Sequence, residues 1–217
     1  MSVKPCFDLD CRRCSRLADF LDDVREAHPH YHARPVAPFG DADPQVLIVG
    51  LAPGMHGANA SGRPFTGDFA GILLYETLYR FGYASAPESV ARDDGLVLKG
   101  CRITNAVKCL PPQNKPLTEE IRACNDFLAA ELDALTSGTL VLALGTIAHQ
   151  AVLRAQGLRP SQYKFAHAAE HDLDNGLTLI DSYHCSRYNT QTRRLTPEMF
   201  RQVFARIAEL SGRLATA

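Results

Sequence analysis

The chain predicts a single α/β domain built around a parallel sheet. Three observations carry this. Four short apolar runs read as buried strands, amphipathic helical stretches alternate with them, and 217 residues is a length that one core can serve. Domains divide only beyond roughly 250 residues.

The strands are expected at 46–51, 101–107, 139–144 and 177–181. The first and third are continuous runs rich in β-branched residues or leucine, as central parallel strands are. A helix is expected over 16–27. A second, over 71–81, puts Leu73, Leu74, Leu78 and Phe81 near one face. A third begins at Thr118, where Pro116-Leu117-Thr118-Glu119-Glu120 reads as an N-cap followed by an acidic first turn, and runs toward Leu135. Helices over 146–156 and 197–210 complete the set. Strands alternating with helices make a parallel sheet, and such sheets bind ligands at the carboxyl ends of their strands. Those ends are 50–57, 105–109, Gly145 and 182–186.

Composition narrows the classes. Apolar residues at 46% and charged residues at 22% are ordinary globular proportions. No stretch approaches the ~18 apolar residues a membrane span needs. Met1-Ser2-Val3-Lys4 leads into a polar, cysteine-bearing segment rather than a secretory signal, so a cytoplasmic protein is expected. The net charge of −1 argues against a sequence-blind DNA coat; any nucleic acid must be held by a local patch. Seven cysteines, an odd number, argue against a disulfide framework and for a metal or cluster site.

Cys11 and Cys14 form a C-x-x-C, a spacing that lets two thiolates grip one metal or cluster. Cys109 ends the second strand and Cys124 lies 15 positions on, inside the helix begun at Thr118. Pro111, Pro112 and Pro116 stiffen the loop between them. These four cysteines are expected to form one site, and their spacing fits either zinc or [4Fe–4S]. Cys101 reads as a small buried hydrophobe, a reading that fits Cys185 less well, and Cys6 as spare.

The first strand leads into Gly50-Leu51-Ala52-Pro53-Gly54-Met55-His56-Gly57-Ala58-Asn59, followed by Ser61-Gly62-Arg63-Pro64-Phe65-Thr66-Gly67-Asp68. Neither dinucleotide nor P-loop spacing is present, so a nucleotide-cofactor fingerprint is absent, and Pro53 in the turn points to a rigid wall rather than a phosphate cradle. Phe65 offers a plate on which a planar base can stack, beside the Asp68 carboxylate. The plainer alternatives are a core phenylalanine and a helix N-cap. After the fourth strand, Asp181-Ser182-Tyr183-His184-Cys185-Ser186-Arg187 places His184 at a ligand-binding strand end. A polar loop with Arg187, Arg193 and Arg194 follows, and it suits phosphate contact. A structural histidine on a solvated loop is the competing reading. His28, His30 and His32 form a weak candidate metal set.

Together these segments resemble the iron–sulfur uracil-DNA glycosylases, most closely family 5 (type b). The likeness rests on Gly50–Asn59, on Gly62-Arg63-Pro64-Phe65-Thr66-Gly67-Asp68, on Thr104-Asn105-Ala106-Val107-Lys108-Cys109-Leu110-Pro111-Pro112-Gln113-Asn114-Lys115-Pro116 and on Ser182–Arg187. Arg34-Pro35-Val36 and Phe39-Gly40-Asp41 add to it. Leu51 stands where family 4 carries glutamate. Two positions depart from the pattern. Gly54 replaces an alanine common in family 5, and Arg193 replaces the glycine of a Thr-Gly-Arg-Leu-Thr stretch.

The resemblance implies a three-layer α/β/α sandwich with a four-stranded parallel sheet over 1–217, and an N-terminal segment that binds an iron–sulfur cluster. It implies [4Fe–4S] on Cys11, Cys14, Cys109 and Cys124. It implies excision of uracil, and of other deaminated bases such as hypoxanthine, from double-stranded DNA by a chain acting as a monomer in a prokaryotic cytoplasm, without a membrane or an obligate protein partner. His184 would donate to a base carbonyl, Asp68 would position or activate water, and Asn105 would read the base edge. Phe65, Arg187 and the turn residues Gly50, Ala52, Pro53, Gly54, His56 and Gly57 would bind the substrate. Tyr188 and Gln191 are the candidate wedges. Three rivals stand beside this reading: an electron-transfer protein, a zinc-stabilised nucleic-acid-binding module, and a hydrolase of free nucleosides.

Overall fold

The computed structural model describes residues 6–212, so the Met1–Lys4 stretch read for a targeting signal lies outside the described residues. Its strands are β1 (Phe39–Gly40), β2 (Val46–Gly50), β3 (Cys101–Asn105), β4 (Leu140–Leu144), β5 (Glu170–Asp172) and β6 (Thr178–Ser182). Its helices are α1 (Ser15–Ala27), α2 (Ala58–Ser61), α3 (Phe69–Arg80), α4 (Thr118–Asp133), α5 (Thr146–Ala155), α6 (Arg187–Gln191) and α7 (Pro197–Leu210).

The four expected strands form the parallel centre, in the order β3-β2-β4-β6, with Ile48 between Ile103 and Leu142. Every residue of β2 and β4 is buried, which is why both read as unbroken apolar runs. The sheet itself has six strands, not four. β1 adds antiparallel to β3 and β5 antiparallel to β6, closing both edges and making the sheet mixed.

Alternation along the strands builds the two outer layers. Val46, Ile48, Leu142 and Ile180 pack with Leu74 and Leu78 of α3 and Phe200 and Phe204 of α7. Leu47, Val49, Val141 and Leu179 face Leu17 of α1, Leu128 and Leu132 of α4, and Ala148 and Val152 of α5. The result is the expected three-layer sandwich. Each fully buried leucine, isoleucine or phenylalanine contributes about 1.5–3 kcal/mol of transfer free energy to it.

Several ends differ from expectation. α3 starts at Phe69 rather than Gly71. α4 is capped at Leu117, whose N–H donates to the Glu120 carboxylate at 2.7 Å. The same carboxylate accepts from Arg16 Nε at 2.7 Å and so ties α1 to α4. The segment after His184, read as a loop, contains the short helix α6, with Ser186 Oγ accepting from Asn189 N. Beyond it Arg193 sits at φ +57°, a conformation that glycine adopts freely and arginine does not.

Candidate active site

A pocket of about 450 Å³ opens at the carboxyl ends of β2, β3 and β6. Its wall after β2 is Leu51, Ala52 and Gly54. Phe65, Asp68, Phe69 and Ala70 form a second wall, Asn105 and Asn114 a third, and His184, Ser186 and Arg187 the last. Three of the four strand ends named from the sequence therefore meet in one place. The fourth, Gly145, stands behind it, facing His184 Cβ.

Asp68 occupies the N-cap position of α3 with extended backbone, yet its side chain does not cap that helix. The carboxylate turns away, and Oδ2 accepts from the Ala58 N–H at 3.0 Å. Burial raises its pKa above the usual carboxylate value, and N–H bonds from Ala58 and Gly54 partly offset the rise. The two glycines make room for it. A Cβ on Gly57 would fall 2.6 Å from Oδ2 and closer still to Cγ and Oδ1. A Cβ on Gly54 would crowd Oδ1 but stand 3.2 Å from Cγ. The glycine that departs from the family pattern thus leaves space at one carboxylate oxygen.

Asn105 ends β3, 3% exposed, and its Oδ1 has no hydrogen-bond partner. Gly50 lacks the side chain that would collide with this oxygen and with Phe65 Cζ, 2.7 Å from an ideal Cβ. Phe65 is buried in the core cluster and also lines the pocket, so both readings of it hold. Its φ of +59° is a strained conformation for a large side chain. The flanking carbonyl of Pro64 accepts from the Tyr75 hydroxyl at 2.7 Å.

His184 follows β6. It is half-buried on the pocket wall, and burial pushes its pKa down to about 4. The ring is therefore neutral at ordinary pH. It faces Phe65 with centroids 6.0 Å apart and planes 27° from parallel. Asn189 Nδ2 donates to the His184 carbonyl at 2.8 Å and holds this turn.

Gly50, Pro53, His56 and Gly57 do not line the pocket. Gly50 and Gly57 act by leaving space behind Asn105 and Asp68. Exposed His56 takes a 2.9 Å hydrogen bond between its Nδ1 and the Tyr31 hydroxyl. Arg187 stands at the mouth with its guanidinium 4.9 Å above the Phe69 ring. Leu51, Phe69, Ala70, Asn114 and Ser186 line the pocket but were not among the site residues named from the sequence. Asn114, between the loop's prolines, sits at φ +56°, a backbone region asparagine tolerates, and Ser186 is the N-cap of α6.

The weak histidine set does not converge. His28 stacks on Tyr31 at 4.6 Å, and His32 Nε2 hydrogen-bonds the Pro35 carbonyl at 3.0 Å. Among the described residues, the three ligand atoms that lie within 4.8 Å of one another belong to His149, His171 and Asp181.

Cys11, Cys14, Cys109 and Cys124 line a second, small recess with Leu17 and Phe127. Burial pushes the Cys14 thiol up to about 11 and raises Cys109 and Cys124 as well, with neighbouring sulfurs adding to the shift. Cys14, Cys109 and Cys124, whose thiols resist ionising, form with Cys11 a sulfur set that a positively charged centre would stabilise as thiolates. The Lys108 N–H donates to Cys124 Sγ at 3.3 Å. The Lys108 ammonium is paired with buried Glu131 at 3.2 Å and with Thr104 Oγ1.

An α/β sandwich with a polar-edged pocket at its strand ends defines a class of ligand-handling domain. The profile of the Uracil DNA glycosylase superfamily matches residues 37–208. The type-5 uracil-DNA glycosylase of Thermus thermophilus is 47% identical over 93% of this chain and 94% of its own. That of Pyrobaculum aerophilum is 39% identical over 94% and 90%. A type-4 uracil-DNA glycosylase of Archaeoglobus fulgidus is 28% identical over 94% and 90%. The chain belongs to the uracil-DNA glycosylase superfamily, and its similarity to the type-5 members runs through almost its whole length.

Proposed function

We propose that this protein is a monofunctional DNA glycosylase that hydrolyses the N-glycosidic bond of uracil, and of other deaminated bases including hypoxanthine, in double-stranded DNA, opening base excision repair. The observation that carries it is the pocket itself: a buried, unpartnered Asn105 Oδ1 shares a hollow of about 450 Å³ with a neutral imidazole and the half-buried Asp68 carboxylate. The target nucleotide must leave the stack to enter, at a cost of a few kcal/mol. Asn105 accepts from the ring N–H of the flipped base and offers its amide to a neighbouring carbonyl. Phe65 lies against the ring. As the bond breaks, electrons pass to the base, and neutral His184 donates a hydrogen bond to the carbonyl oxygen that gains charge. Asp68 faces the sugar, where its carboxylate steadies the oxocarbenium-like centre and orients the attacking water. Exposed Tyr188, beside Arg187 at the mouth, is placed to fill the gap left in the duplex.

The four-cysteine recess is read as the seat of a [4Fe–4S] cluster. Tetrahedral zinc with Zn–S bonds of about 2.3 Å brings its sulfurs within roughly 3.8 Å of each other. No three of these sulfurs fall among the ligand groups that lie within 4.8 Å of one another. The wider spread fits a cluster. When bound, it would supply a structural tie; the chain's own contribution is to anchor the α1 end to Cys109 and to α4. No helix among the described residues is long and apolar enough to cross a membrane.

The test is alkali cleavage of duplexes carrying one uracil or one deoxyinosine, using brown, cluster-replete protein with His184→Ala as control. Strand breaks at both lesions that weaken strongly in the variant are expected. Folded, fully coloured protein that breaks neither duplex overturns the reading. Uracil release with untouched deoxyinosine removes the broader substrate range.

A further inference from the structure

Beside the base pocket lies a second groove of about 520 Å³, and the geometry points to it as the seat of the nucleotide next to the flipped one on the same strand. Asp68, Phe69 and Arg187 line both hollows, so the two form one continuous depression.

The groove is apolar where it is most exposed. Ile72 on α3 is 66% exposed and Val90 on the opposite wall 69%. That wall is fastened. The Asp94 carboxylate accepts from the Val90 N–H at 2.9 Å and the Ala91 N–H at 3.2 Å. Asp94 also pairs with buried Arg63 at 2.7 Å, and Ser89 Oγ meets Thr66 Oγ1 at 2.6 Å. Arg63 and Thr66 flank Phe65, so the segment carrying Val90 is bolted to the wall of the base pocket. A loop held this firmly, with valine turned to water, presents an apolar surface ready for contact.

The chemistry of the groove selects the occupant. The Arg187 guanidinium lies over the Phe69 ring and keeps N–H groups for a phosphate, while Ile72 and Val90 offer flat apolar area to a base. Exposed Glu88 also lines the groove, and its like charge would disfavour a phosphate on that side. A nucleotide joins a planar base to a phosphate, and a strand whose target base fills the first pocket runs over the shared residues into the second. This inference rests on the proposed base excision, because continuity with a nucleotide pocket is what selects a nucleotide.

The experiment measures binding by fluorescence anisotropy, using duplexes with a non-hydrolysable deoxyuridine analogue. The base on its 5′ or its 3′ side is replaced by a tetrahydrofuran spacer. Removing the base on one side is expected to weaken wild-type binding about tenfold, the scale of one stacked base, and removal on the other side to matter little. Val90→Ser and Ile72→Ser should bind the intact duplex more weakly and become indifferent to the spacer, with cluster absorbance and saturating single-turnover rates on uracil unchanged. Equal tolerance of the spacer on both sides by the wild type, or undiminished flank discrimination in both variants, overturns the groove. Flank-dependent binding without base release keeps the groove and sinks the excision reading; base release without flank dependence does the reverse.

Discussion

A methyl group on Gly57 would strike the Asp68 carboxyl group. Its ideal position lies 2.6 Å from Oδ2, closer to Cγ and Oδ1, and ordinary contact begins at 3.4 Å. The whole carboxyl group, not one flexible oxygen, must therefore retreat by about 1 Å. A displacement of that size at a reacting group costs on the order of 10²-fold in rate. It also separates Oδ2 from the Ala58 N–H. Because the N–H bonds favour the charged form, losing them leaves burial uncompensated and raises the Asp68 pKa further. Single-turnover release of uracil by Gly57→Ala should accordingly fall about 100-fold, and its acid limb should move to higher pH. Gly54→Ala, which crowds only one oxygen, should lose less. In the double variant Gly57→Ala/Asp68→Asn the two losses should not multiply, since both act through one carboxylate. A Gly57→Ala enzyme within threefold of wild type, with an unmoved pH profile, would refute the account. Multiplying losses would do the same.

Other outcomes follow from the same geometry. His184, held neutral with a pKa near 4, should impose no limb near its ordinary 6.5 when base release is followed from about pH 5 to 8. Any acid limb belongs to Asp68, whose charged form is lost as pH falls through its raised pKa. The unfolded chain protonates this histidine first, so stability should decline as pH drops from about 6.5 toward 4. Arg193→Gly relieves the φ of +57° and should add up to about 1 kcal/mol to stability by thermal melting. In the same variant the slope of log K against log salt for DNA should drop by about one phosphate contact. Lys108→Met leaves Glu131 buried without its cation and should cost about 3–5 kcal/mol in denaturant titrations, with Lys108→Met/Glu131→Leu recovering most of it.

How much of the fold was legible follows from burial. β2 and β4 could be read because helices cover both of their faces, which demands unbroken apolar runs. β1 and β5 could not, because pairs of two and three residues are too short to show a period of two. α6 has no buried residue, so Arg187–Gln191 carries no apolar face to announce a helix; only Ser186, as its cap, left a trace. The convergence of Cys11, Cys14, Cys109 and Cys124 was legible because a C-x-x-C, a strand end and the next helix leave few ways to scatter four thiols.

The pocket was legible in its residues but not in how they are used, because each depends on contacts distant in sequence. Asp68 stands where a helix cap belongs, and only its reach to Ala58 reveals a different task. Elsewhere the chain treats buried charge conservatively. Lys108 has Glu131, and burial opposes a charge on His149 but Asp181, 2.8 Å away, raises its pKa overall. In the pocket the opposite holds. An amide oxygen has no partner, an imidazole is stripped of its charge, a carboxyl group is drawn from water, and Phe65 bears left-handed backbone. Each of these lowers the stability of the free chain, and a fold alone gives no reason to gather them in one hollow. A flipped nucleotide answers three of them: its base gives the Asn105 amide oxygen a donor and the neutral imidazole an acceptor that gains negative charge, and its sugar gives the Asp68 carboxylate a developing positive charge, so these local costs argue for a flipped base.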